Sequence, residues 1–261
     1  MRTLLVAIFA LLAGSCVASA TWRPLAIPAN ERPDAEVALH GVEPRIFNGT
    51  PTADFPAVVG VALRLSAIEF GLCTGILIAP SVVLTAAHCV DDQPLQIVAA
   101  VIRNGTQENH AVTAVAINPR HVAGDVNGDV ALLRLATPVD GVTPLPLARA
   151  KPRPGRTGTI VGFGQDGLGN VGRREVGTVR LGRCPRTLRR LGFTRIAALV
   201  CWSAAGGGSN TCEGDSGGPL LVNGAVAGIT LGGTSAACGP SALSIDTSIA
   251  AYRAWIRRHL R

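Results

Sequence analysis

The chain has 261 residues, 48% of them hydrophobic and 16% charged, with a formal net charge of +7. That length carries one large domain or two small ones with a proper core, and the globular composition excludes a disordered or low-complexity chain. Nearly all the positive charge is arginine, Lys151 being the only lysine, and 31 glycines and 17 prolines among short Val/Leu/Ile runs favour strands and turns over long helices.

In chain order, residues 1–20 read as a secretory leader. Arg2 gives the positive start, residues 4–13 an apolar stretch too short to span a bilayer, and Ala18-Ser19-Ala20 a small-residue cleavage site. The expected location is secreted, either extracellular or periplasmic. A lipid anchor on Cys16 is the rival, against which Leu12 stands one position too far from the cysteine for the usual lipoprotein box. Residues 21–45 are rich in proline and charge and lack periodicity, which predicts an extended pro-segment ending at Pro44-Arg45-Ile46-Phe47-Asn48-Gly49. Short apolar runs with turns between them follow at 57–63, 75–78, 82–84, 95–102, 111–117 and 130–135. Four prolines and several basic residues over 144–155 read as a linker. A second set of runs occupies 159–161, 176–181, 198–201, 219–222 and 225–229. Ile249, Tyr252, Trp255, Ile256 and Leu260 then recur at the spacing of an amphipathic C-terminal helix.

The chemistry concentrates in Cys212-Glu213-Gly214-Asp215-Ser216-Gly217-Gly218-Pro219. A serine hydroxyl needs a base to take its proton and backbone N–H groups aimed at the oxyanion it creates. Gly214 can turn its amide to that spot because it carries no side chain. A candidate base, His88, follows the apolar run in Leu84-Thr85-Ala86-Ala87-His88-Cys89, and an acid, Asp129, leads Gly128-Asp129-Val130-Ala131-Leu132-Leu133. Of seven cysteines Cys16 lies in the leader, and the remaining six form an even set that predicts three disulfides in an oxidising compartment. No CxxC or clustered histidines accompany them, so no metal site is expected.

At these residues the chain resembles the trypsin/chymotrypsin family of serine peptidases, whose TAAHC, D-[IV]-A-L-L and GDSGGP runs it carries in order from about residue 45 onward. The resemblance implies an all-β fold of two antiparallel six-stranded β-barrels, over 46–150 and 151–261, with the active site in the cleft between them and the C-terminal helix packed on the outside. It implies that His88 takes the proton of Ser216, that Asp129 orients His88, and that the amides of Gly214 and Ser216 form the oxyanion hole. It implies activation by cleavage between Arg45 and Ile46, with Phe47 and Asn48 departing from the family's run, and a new amino group at Ile46 that pairs with Asp215. The implied disulfides are Cys73–Cys89, Cys184–Cys201 and Cys212–Cys238. The implied partners are polypeptide substrates, protein inhibitors and an activating protease, for a monomer that uses no metal and no organic cofactor.

Substrate preference does not carry over. Asn210 stands six residues before Ser216, where trypsin-like members have the Asp that selects Arg or Lys. The pocket wall, Gly228-Ile229-Thr230-Leu231-Gly232-Gly233, lacks the usual aromatic residue, and Leu231, Gly232 and Gly233 are the expected backbone rail for substrate. Glu213 at the mouth should repel acidic side chains. Asp246 stands two positions after Ser244, where Tyr or Phe is usual. It reads either as an acid supplied from the pocket's far side or as a helix-capping aspartate before Thr247, and the sequence favours the cap. Arg173, Arg174, Arg180, Arg183, Arg186, Arg189, Arg190 and Arg195 crowd one region. They suggest a polyanion-binding surface, and with it the alternative of a silent homologue acting as a binding protein, or else a merely solvated face. Without interleaved aromatics no specific nucleic acid is expected.

Overall fold

Runs of β-branched and aliphatic residues between Gly, Pro and Asn turns become fourteen strands in the computed structural model, which describes residues 21–25, 46–164, 173–235 and 238–260. The leader, most of the 21–45 segment and Arg45 lie outside the described residues. Two-residue strands β1 (Arg23–Pro24) and β2 (Thr50–Pro51) come first. The first barrel comprises β3 (Val58–Arg64), β4 (Phe70–Ala79), β5 (Val82–Thr85), β6 (Gln96–Arg103), β7 (Thr106–Ile117) and β8 (Ala131–Leu135). Pairing of β7 with β8 closes it, and β1 adds to β7. The second barrel comprises β9 (Thr157–Gly162), β10 (Glu175–Gly182), β11 (Leu199–Ser203), β12 (Pro219–Val222), β13 (Ala225–Gly233) and β14 (Leu243–Ser248), closed by β10 with β11. Every pairing within the two barrels is antiparallel, and β2 adds to β10 of the second. Closure removes the long unpaired edges that would otherwise invite aggregation.

Several strands of the first barrel are buried on both faces, and period-2 geometry explains why. Val59, Val61, Leu77 and Val83 point into the barrel core, while their neighbours Val58, Ile76, Ile78, Val82 and Leu84 join a second apolar cluster. That second cluster spans both barrels, because it also holds Val161, Phe163, Leu221, Val226 and Ile229. Helix α1 (Ile249–His259) completes it from outside with Ile249, Tyr252, Trp255 and Ile256. Each such side chain removed from water stabilises by about 1.5–3 kcal/mol. The basic last turn, Arg257, Arg258 and His259, suits the negative end of the helix dipole. Leu260 caps the helix and is exposed; His259 takes the buried position instead, packed on Trp22 and Trp255.

Two hairpins turn on Asn-Gly pairs, Asn104-Gly105 and Asn223-Gly224, with φ of 50° and 78° in the first and 53° and 74° in the second. Both residues of such a turn need positive φ, which this pair supplies cheaply. The 144–155 segment is pinned rather than loose: Leu145 N–H donates to Leu77 O and Ala148 N–H to Val226 O, both at 2.9 Å. One member of the arginine group also departs from expectation. Arg174 is buried, and its guanidinium donates to the carbonyls of Ala53, Val58 and Ile102, tying the start of the second barrel to the first. The other seven arginines are exposed and, among the described residues, form no ion pair.

Candidate active site

Asp129 stands just before β8, after a glycine whose φ of 71° and lack of Cβ let the backbone press onto Arg120 and His121. Its carboxylate is 1% exposed and takes two bonds from one residue: His88 N–H donates to Oδ1 at 2.8 Å and His88 Nδ1 meets Oδ2 at 2.7 Å. The second bond makes Nδ1 the protonated nitrogen and leaves Nε2 free to accept. Burial alone would lower the His88 pKa, but the Asp129 hydrogen bond and the charges of Asp129 and Asp91 together raise it above 6.5.

The serine loop comes from the second barrel. Gly214 and Gly217 hold φ of 87° and 80°, Asp215 N–H donates to Cys212 O, and Gly218 N–H donates to Asp215 O. A Cβ at Gly217 would lie 2.2 Å from Thr85 Oγ1 and 2.7 Å from Ala86 N, so this glycine lets the loop close onto the segment that leads to His88. Cys89 Sγ lies 3.9 Å from Ser216 O. The backbone of Ser216 thereby lies against Cys89, the residue after His88, across the two barrels.

Thr74 is the residue that sequence reasoning missed. Fully buried on β4, it donates its N–H to Ser216 O at 2.8 Å and its hydroxyl to Gly214 O at 2.8 Å. The same hydroxyl accepts from Phe163 N–H at 3.1 Å, and Thr74 O accepts from Thr85 Oγ1. One side chain of the first barrel thus fixes the peptide that follows the Gly214 amide. A lone threonine in an apolar strand gives no sequence signal for this.

Asp215 is buried beneath the loop, where Oδ1 accepts from Gly164 N–H at 2.9 Å and Oδ2 from Cys212 N–H at 2.8 Å. Gly162 and Gly164 cradle it, since a Cβ on either would collide with the carboxylate. Desolvation pushes its pKa up to about 7, the two backbone bonds opposing only in part. Ile46 is 1% exposed in the same barrel, packed with Ile160, Val179, Val200, Trp202 and Leu220.

The three disulfides join Cys73 to Cys89, Cys184 to Cys201 and Cys212 to Cys238. Cys73, His88 and Cys89 lie within 4.8 Å of one another, but their two sulfurs are bonded to each other and leave no thiolate for a metal. Around the pocket, Glu213 is exposed, Gly232 and Gly233 pair with Ile245 and Ser244, and a bulge sets Leu231 out of register. Asn210 is buried and bonded to pocket backbone. Asp246 is not a helix cap: it sits inside β14, and the α1 N-cap is Ser248.

The family model described as Trypsin matches residues 46–256. The chain belongs to the trypsin family. It is a trypsin-like serine endopeptidase, and curated relatives agree. A trypsin of Phaedon cochleariae is 32% identical over 220 residues, 78% of this chain and 83% of that one. Submandibular glandular kallikrein-9 of Rattus norvegicus is 26% identical over 76% of this chain and 84% of its own. Among solved structures, neuropsin, a serine protease of mouse brain, covers 83% of the peptidase and 100% of its own chain with a TM-score of 0.70 at 24% identity, which shows the shared fold.

Proposed function

We propose that the protein is an exported serine endopeptidase made as a zymogen, in which Ser216, His88 and Asp129 hydrolyse peptide bonds through an acyl-enzyme. The observation that carries this is the double clamp of Asp129 on His88, which fixes the ring and leaves Nε2 free to accept a proton. His88 takes the Ser216 proton as the oxygen attacks the scissile carbonyl, then gives it to the leaving amine. Water repeats the cycle on the ester and frees the acid. The amides of Gly214 and Ser216 hold the oxyanion, each donor lowering the barrier by about 3–4 kcal/mol.

Activation follows from Asp215. Its carboxyl is buried beside two N–H donors and, among the described residues, no cation, and desolvation holds its pKa at about 7. Cleavage after Arg45 would free an ammonium at Ile46, a residue already buried in this barrel, and that charge would ionise Asp215 and lock the loop. Export is supported by the leader and by three disulfides, and among the described residues no helix is long and apolar enough to cross a membrane. Labelling of Ser216 by a fluorophosphonate, before and after cleavage at Arg45, tests the reading. Strong labelling only after cleavage is expected; none in the cleaved protein points to the silent binding homologue, with its seven exposed arginines.

A further inference from the structure

The pocket floor is neutral and its amide is fully used. Asn210 Nδ2 donates to Gly239 O and Ala242 O, both at 3.1 Å, while Oδ1 accepts from Thr211 N–H and Ser244 Oγ. Ser244 Oγ and Thr211 Oγ1 share a further bond at 3.0 Å. Ser244 therefore marks the floor. Residues two apart on a strand share a face, so β14 turns Asp246 to the same side as Ser244, one step deeper. Its cross-strand neighbours are Thr230 on β13 and Val200 on β11. Gly228 makes the room, because a Cβ there would lie 2.6 Å from Asp246 Oδ2.

Asp246 is 0% exposed, and among the described residues neither carboxylate oxygen has a hydrogen-bond partner and no cation pairs with it. Trp202 Nε1, on the strand position opposite Ser244, is also buried and, among the described residues, has no hydrogen-bond partner. A lone carboxyl is among the costliest groups a barrel interior can hold, and such groups are kept where a cation or a set of donors meets them. Among the described residues no Lys, Arg or His does so, and the cation of a ligand would supply that counter-charge. Desolvation holds the Asp246 pKa well above the ordinary carboxylate value, so without a cation it keeps its proton, and an arriving cation sends that proton to solvent.

We propose that Asp246 is the acid of the specificity pocket, receiving the guanidinium or ammonium of a substrate Arg or Lys from the strand behind the floor. The proposal rests on the peptidase reading above and supplies the substrate preference that Asn210 cannot. Arginine is the better fit, because its several N–H donors can meet Asp246 together with the hydroxyls of Thr211 and Ser244. Asp246 is thus a specificity residue, acting on bound substrate and taking no part in the proton transfers of Ser216 and His88.

The test is a peptide library varied at the residue before the cut, read as kcat/KM with active Ser216 titrated by fluorophosphonate. Wild type should cleave after Arg and Lys. Asp246→Asn should lose about a hundredfold on both while uncharged residues change by less than about threefold. Asn210→Asp added to Asp246→Asn should restore cleavage after Arg, which shows that the pocket is still folded. Benzamidine binding to Ser216→Ala protein gives a readout free of catalysis and should weaken at least about tenfold in the Asp246→Asn background. A wild type that prefers uncharged residues overturns the proposal whether or not the variant folds, and so does an Asp246→Asn enzyme that keeps its Arg/Lys preference. Failure of cleaved protein to label at Ser216 overturns the peptidase reading instead, and the benzamidine measurement still decides the role of Asp246.

Discussion

Replacing Thr74 by valine keeps the shape of the side chain and removes one hydroxyl. That hydroxyl donates to Gly214 O and accepts from Phe163 N–H in a fully buried setting. Two backbone groups would be left unsatisfied, each costing about 1–3 kcal/mol, so stability should fall by about 2–6 kcal/mol. For a domain of this size that is a drop in Tm of roughly 4–24 °C. The catalytic effect is separate. The Gly214 carbonyl belongs to the peptide just after the amide proposed to hold the oxyanion, and freeing it would let that amide wander from its aim. Full loss of one donor costs a factor of about 10²–10³ in kcat, so partial misalignment should cost about 10–100-fold, with KM little changed. The assay is kcat and KM on a fluorogenic peptide with active sites titrated, alongside thermal unfolding. Thr74→Ser, which keeps the hydroxyl, should recover most of the rate. A Thr74→Val enzyme with a lowered Tm but kcat within about twofold of wild type would refute the positioning role, because packing alone would then explain the residue.

Asp129→Asn should leave His88 without its orienting anion, reduce kcat by about 10⁴, and move the acid limb of kcat/KM below its wild-type position above pH 6.5, measured as a pH–rate profile. In the uncleaved chain, held so by Arg45→Gln, Asp215 binds a proton in the native state up to about pH 7 but in the unfolded state only to about 3.8. Its contribution therefore falls as pH rises from about 4 to 7, by on the order of 4 kcal/mol, and Asp215→Asn should flatten that slope in urea unfolding at several pH values. Gly217→Ala should prevent closure of the serine loop onto Thr85 and Ala86, seen as loss of fluorophosphonate labelling in protein with intact disulfides.

The proposed catalytic residues could be named from sequence because family runs mark each of them locally, and the cysteine pairs implied with them are the three that form. What sequence did not expose depends on which strand lies opposite. Asp246, Thr247 and Ser248 all precede α1 and all can cap a helix, and only pairing with Val200 and Thr230 makes Asp246 a strand residue. Arg174 reads like its exposed neighbours until the carbonyls of Ala53, Val58 and Ile102 surround it. Thr74 gains meaning only where β4 meets a loop 140 residues away. The Asn-Gly hairpins, by contrast, carry their geometry in two adjacent residues.

The position of α1 has a consequence for biosynthesis. The cluster that joins the barrels is completed by Ile249, Tyr252, Trp255 and Ile256, which follow every strand in chain order. His88 and Ser216 sit on opposite sides of that seam. A chain released before Ile249 would lack four apolar side chains of that cluster, so truncation there should weaken the joint between the barrels and lower stability.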